Sequence, residues 1–183
     1  MKHIRKMKIL LLLLVFTSVS GYGQFSGGSG VAQDPYLISS KEDIYALIDS
    51  IRTQVYNPRY KYSDKHYRVT KNIRDSVRKP IPNFSGVFDG QGYKITLAIN
   101  NTGYNGLFAR TYGAKIYNVV VDGFIKKDST IQGHMNWTGG IVGYAQNTEI
   151  YNCANFINIT SEFTCVGGIV GHLEFSRGKL LIV

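Results

Sequence analysis

The sequence predicts an all-β solenoid, a stack of short strands laid one turn upon the next. Three observations predict it. The stretch Gly139-Gly140-Ile141-Val142-Gly143 returns unchanged as Gly167-Gly168-Ile169-Val170-Gly171, and a weaker version, Asn105-Gly106-Leu107-Phe108-Ala109, precedes both. The match continues past the glycines: Ile116-Tyr117-Asn118 lies ten residues after Gly106, and Ile150-Tyr151-Asn152 lies ten after Gly140. Between these anchors run short apolar stretches of Ile, Val, Tyr and Phe broken by Gly and Asn, without helical spacing. That is the chemistry of strands and turns. Units starting at 106, 140 and 168 step by 34 and 28 residues, and a repeat that short buries its apolar face only by stacking on its neighbours. An all-β sandwich is the second choice, since it has no need of near-identical units.

Taken in order, the chain opens with a secretory signal peptide over residues 1–23. Lys2, Arg5, Lys6 and Lys8 precede the unbroken apolar run Ile9 to Phe16, and Gly21-Tyr22-Gly23 offers a cleavage site before Gln24. The run is too short to span a bilayer, so the expected mature protein is exported, with no stable membrane span after signal removal. Processing also changes the charge. The whole chain has 21 Lys and Arg against 12 Asp and Glu; the first 23 residues hold four of the bases and no acid, leaving 17 against 12, a net +5. An excess that small calls for no nucleic acid.

Residues 24–83 form an expected N-terminal capping region. Gly27 to Tyr36 is turn-rich. Ser39 and Ser40 each have an acid three residues on, and Ile44, Leu47, Ile48 and Ile51 follow at helical spacing. This predicts an amphipathic helix over 41–52 that starts in a capping box. Its expected role is to cover the first rung, whose core and strand edges would otherwise stand open. Residues 52 to 79 are the most basic part of the chain, with nine Lys and Arg against Asp64 and Asp75, interleaved with Tyr56, Tyr60, Tyr62 and Tyr67. Tyr60, Tyr62 and Arg68 are candidate binding residues there, because cations and rings together hold anions and stack on sugars. A solvated loop whose tyrosines pack on the helix is the competing reading. Tyr67 to Ile73 alternates as the first strand of the stack, and Lys79-Pro80-Ile81-Pro82 is a connector, because prolines cannot donate to a ladder.

Residues 84–183 are the expected repeat region. Asp89-Gly90-Gln91-Gly92 is a tight turn joining Gly86-Val87-Phe88 to the strand Tyr93 to Ile99, so Asp89 reads first as turn chemistry. Asparagines at successive turns are expected to stack. Lys126 to Thr138 is the longest loop and carries His134 and Trp137, the single tryptophan. Trp137 is a fourth candidate binding residue, as a sugar-stacking platform, against a plain packing role. Cys153 takes the inward place of Val119, and Cys165 sits just before Gly167; both read as buried, unpaired thiols, with a disulfide, which export permits, as the alternative. Asp49-Ser50-Ile51, Asp75-Ser76-Val77 and Asp128-Ser129-Thr130 resemble acceptor sites for O-glycans.

The Gly-Leu/Ile-apolar-Gly units followed by Ile-x-Asn resemble the GLUG motif of bacterial surface proteins, many from Bacteroides-like organisms, and of the repeat region of IgA-specific metallopeptidases. Phe25 to Ile38 and Phe84 to Ile95 look like that family's lead-in. The resemblance covers nearly all of the chain from about residue 25 except 54–66. It implies a right-handed parallel β-helix, related in shape to pectin lyases, and an exported protein; it implies no shared chemistry.

No catalytic group, cofactor or metal site is expected. His-Glu-x-x-His is missing, so the likeness to the peptidases touches their repeats and not their zinc chemistry. His172-Leu173-Glu174 lacks the Pro-Cys-x-x-Cys half of a deaminase site, and Gly-x-Ser-x-Gly does not occur. From residue 84 on, the acids are Asp89, Asp122, Asp128, Glu149, Glu162 and Glu174, with no two within three residues of each other. The leading expectation is a non-catalytic adhesin at the outer-membrane surface or outside the cell, with a glycan or host surface protein as partner. The alternatives are a fragment of a larger carbohydrate-active enzyme or peptidase, and a structural spacer. Leu180 to Val183 reads as an uncapped apolar strand, for which an edge-strand partner or further repeats are expected.

Overall fold

The computed structural model describes residues 24–52, 62–100, 103–127, 137–161 and 165–175. The expected signal peptide, Tyr60, His134, the Asp128-Ser129-Thr130 site and the terminal strand lie outside them. Among the described residues the chain is all-β apart from one helix, and every paired strand runs parallel to its neighbour. Parallel pairing throughout removes the sandwich, which is built from antiparallel sheets.

The strands are β1 (Tyr36–Ile38), β2 (His66–Val69), β3 (Ile73–Val77), β4 (Val87–Asp89), β5 (Lys94–Asn100), β6 (Phe108–Tyr112), β7 (Lys115–Tyr117) and β8 (Val120–Lys127). They continue as β9 (Thr138–Gly139), β10 (Val142–Gln146), β11 (Glu149–Tyr151), β12 (Ala154–Ser161), β13 (Val166–Gly167) and β14 (Val170–Glu174). The helix α1 is Lys41–Arg52. Sheet order is β1-β2-β4-β7-β11 in the first sheet, β3-β5-β8-β12 in the second and β6-β10-β14 in the third, with β9 and β13 paired separately. From β4 onward the chain visits the first, second and third sheets in turn, then returns to pair with the strand it left, one place further along.

The repeat read from the sequence is the register of that pairing. Val142 lies opposite Phe108 and Val170, and Ile150 opposite Ile116. Inward positions therefore stack in columns, such as Ile99, Ile125 and Ile159, and the core runs the length of the sheets. Tyr67, Phe84, Phe88 and Phe108 form a chain of rings inside it, with Phe84 and Phe88 5.0 and 5.2 Å from Phe108.

Two turn features explain the sequence anchors. Asn118 and Asn152 adopt left-handed backbone, φ 55° and 51°, which asparagine tolerates better than other residues with a Cβ. Their side chains join a ladder: Asn152 Nδ2 donates to Asn118 Oδ1, and Asn118 Nδ2 donates to Asp89 Oδ1 at 3.0 Å. Asp89 also accepts the Gln91 backbone N–H at 3.0 Å. It is a buried turn residue, as its Asp-Gly context indicates. The turn carries the chain from the first sheet to the second rather than folding β5 back on β4.

α1 forms where its spacing places it. Ser40 is the cap: Asp43 N–H donates to Ser40 Oγ at 3.2 Å, and Ser40 N–H donates back to Asp43 Oδ2 at 3.0 Å, a reciprocal box of the expected kind. Ile44, Leu47, Ile48 and Ile51 are all buried, and the helix packs on β1 and β3, the terminal strands of two sheets. The first strand is a correction. β1 precedes Tyr67 to Ile73 and pairs with β2, while that stretch splits at Thr70 into β2 and β3, which enter different sheets.

Both cysteines are free. Cys153 packs against the core, and burial raises its thiol above the usual range. Cys165 is exposed rather than buried. A thiol reagent added to the native protein is expected to modify Cys165 quickly and Cys153 only on unfolding, as mapped by peptide mass spectrometry. Equal native rates would contradict this packing.

Candidate functional site

The third sheet carries a group of half-buried rings stacked on one another. Register sets Arg110, Tyr144 and His172 side by side across β6, β10 and β14, with Tyr112, Gln146 and Glu174 as the next column. Between them Thr111 and Ala145 turn inward and are fully buried, which aims the flanking columns outward. Trp137, just before β9, lies over this surface. Its ring stacks on His172 at 4.2 Å and 19°, and on Tyr144 at 5.3 Å and 24°. Tyr144 and His172 are nearly coplanar in orientation, 5° apart at 5.7 Å. Tyr104 joins at 5.5 Å from Trp137, with the Arg110 guanidinium 4.9 Å from its ring centre. The result is an aromatic ledge with polar groups along one side.

Glu174 fixes that side. The Tyr144 hydroxyl donates to Glu174 Oε2, and Gln146 Nε2 donates to Glu174 Oε1 at 3.3 Å. The Tyr144 phenol is pushed up to about 12, first by this hydrogen bond, then by burial and the carboxylate charge. It stays a neutral donor through the physiological range. Rings with hydrogen-bonding groups at their edge suit a flat ligand having apolar faces and a polar rim. Among the described residues the ledge carries one carboxylate, Glu174. No group of three or more His, Cys, Asp or Glu that could hold a metal occurs among the described residues, and none of their helices is long and apolar enough to cross a membrane.

No family model, curated protein or solved structure matches this chain.

Of the candidates named from sequence, Trp137 lies at the centre of the ledge. Tyr62 does not join it: the ring packs with Phe25 and Tyr36 at 6.0 and 5.8 Å, beside β1 and β2. Arg68 is exposed on β2 in the first sheet, so the structure brings neither to Trp137. Sequence reasoning missed Tyr104, Tyr144, His172 and Glu174 as partners of the tryptophan. The signal was in the repeat: Arg110, Tyr144 and His172 each follow the last residue of the five-residue unit.

Proposed function

We propose that the chain is an exported, non-catalytic β-helix module of the GLUG-like repeat kind that binds a glycan on its aromatic ledge. In this reading each three-sheet circuit is one rung of a right-handed helix, and residues 24–83, with α1 against β1 and β3, are its cap. The signal-like leader of residues 1–23 supports export to the cell surface or beyond, and the Gly-rich units support the family resemblance. The observation that carries the binding reading is the stacked run Trp137, His172 and Tyr144 on one sheet face. Sugar rings offer C–H faces that lie on such rings and hydroxyls that reach Gln146 and Glu174.

The test is a glycan-array screen of the mature protein followed by titration calorimetry of the best hits with Trp137→Ala. Affinity is expected to fall about tenfold or more, equivalent to about 1.4 kcal/mol, with the circular dichroism spectrum unchanged. Undiminished binding by the variant sinks the ledge as the site; no glycan binding at all leaves a spacer that displays other domains.

A further inference from the structure

A cleft of about 520 Å³ opens beside the ledge, where the end of α1, the β3–β4 connector and β6 meet. Arg52, Arg78, Lys79 and Arg110 line it together with Tyr104, and no acid among the described residues does. Several cations elsewhere in the described residues are paired. Lys41 pairs with Asp75, Lys94 with Asp122 and Lys115 with Glu149. The four cleft cations make no ion pair with a described residue. Like charges gathered around one concavity repel each other and focus a positive potential into it, which an anion relieves.

The cleft wall is also pre-built. The Arg78 backbone N–H donates to the Tyr45 hydroxyl at 3.1 Å, and Ile81 exchanges backbone bonds of 2.8 Å with Leu107 and Ala109. Pro80 and Pro82 stiffen the strap between, so little ordering is left to be done on binding. Tyr104 belongs to both places, facing the cleft beneath Arg110 and lying 5.5 Å from Trp137.

We infer that this cleft binds the sulfate or carboxylate of an acidic glycan whose sugar rings lie on the neighbouring ledge, an inference that rests on the glycan-binding reading above. Nucleic acid fits less well. Its closely spaced phosphates call for a broad basic surface, whereas the bases of the expected mature chain exceed its acids by only five, 17 against 12, and the ledge beside the cleft carries Glu174.

The test is titration calorimetry of the mature protein with short oligosaccharides of three kinds: chondroitin sulfate, polygalacturonate, and chondroitin made neutral by desulfation and carboxyl reduction. Single-stranded DNA is the fourth probe. The charged glycans are expected to bind at least about tenfold more tightly than the neutral one, with affinity falling as salt rises. The double variant Arg78→Ala, Lys79→Ala, at two exposed positions, is expected to remove that advantage and leave the neutral affinity unchanged. A fifth probe, chondroitin desulfated with its carboxylates intact, tells sulfate from carboxylate: affinity lost with the sulfates assigns the cleft to sulfate, and affinity retained assigns it to carboxylate. Equal binding of charged and neutral glycans, indifference to the double variant, or tighter binding of DNA overturns the inference. Trp137→Ala separates the two readings. Charge-dependent glycan binding that survives it refutes the ledge and keeps the cleft; glycan binding that is lost with it but ignores Arg78 and Lys79 does the reverse.

Discussion

Phe108→Ala is expected to lower the free energy of unfolding by about 3–5 kcal/mol, the cost of deleting a fully buried ring that the surroundings cannot refill. Phe108 has no exposed surface. Its ring stands 5.0 Å from Phe84 and 5.2 Å from Phe88, while its backbone lies opposite Val142 in β10 and bridges to Ile81. The side chain thus ties the region beneath α1 to the repeats above. Set against a total stability of about 5–15 kcal/mol for such a domain, the loss is a fifth or more. The control is Phe156→Ala, because Phe156 is 68% exposed on β12 and its removal is expected to change stability by no more than about 0.5 kcal/mol. Urea unfolding of both variants followed by circular dichroism decides the matter, and similar midpoints for the two would refute this account of the core.

Phe108 also shows why so much of the pairing was legible. A parallel stack places equivalent residues of successive units directly over one another, so a repeated motif states its own register. Aligning Gly106 with Gly140 aligns Phe108 with Val142, and the strands pair there. Where no repeat speaks, reading fails. β1 is three residues long, too short for alternation to show, and its partner β2 lies about thirty residues downstream. The Asp89-Gly90 turn has the same local chemistry whether the next strand folds back or enters another sheet, and only tertiary packing selects the second. The ledge was half legible. Trp137 stood out by its rarity, but its companions come from β10 and β14 and from the residues just before β6, and become neighbours only once the units are stacked. Tyr62 stood out for the opposite reason: a tyrosine in a basic stretch looks available, yet the rings of Phe25 and Tyr36 pack against it.

Gly123→Ala is expected to be among the most damaging of the glycine substitutions, costing about 3 kcal/mol or more. Gly123 sits in the middle of β8 with φ +100°, and a Cβ there would lie 2.0 Å from the Leu97 carbonyl oxygen. Two penalties combine. The left-handed backbone alone costs a residue with a side chain about 1–3 kcal/mol, and the clash is with backbone that cannot swing away. β5 and β12 flank β8 on both sides and hold Leu97 and Ile157 in register with Gly123, so the strand cannot shift without breaking a ladder. Two further glycines separate the penalties. Gly92 has φ +73° but open space around its Cβ position, so Gly92→Ala is expected to cost about 1 kcal/mol through backbone strain alone. Gly168 has neither positive φ nor any atom within 4 Å, and its substitution by alanine is expected to be nearly neutral. Thermal unfolding of the three variants should rank them Gly123, Gly92, Gly168 in falling order of damage. A Gly123→Ala protein as stable as Gly92→Ala would mean that β8 yields where β5 and β12 are inferred to hold it, and that the close approach of successive strands does not constrain this position.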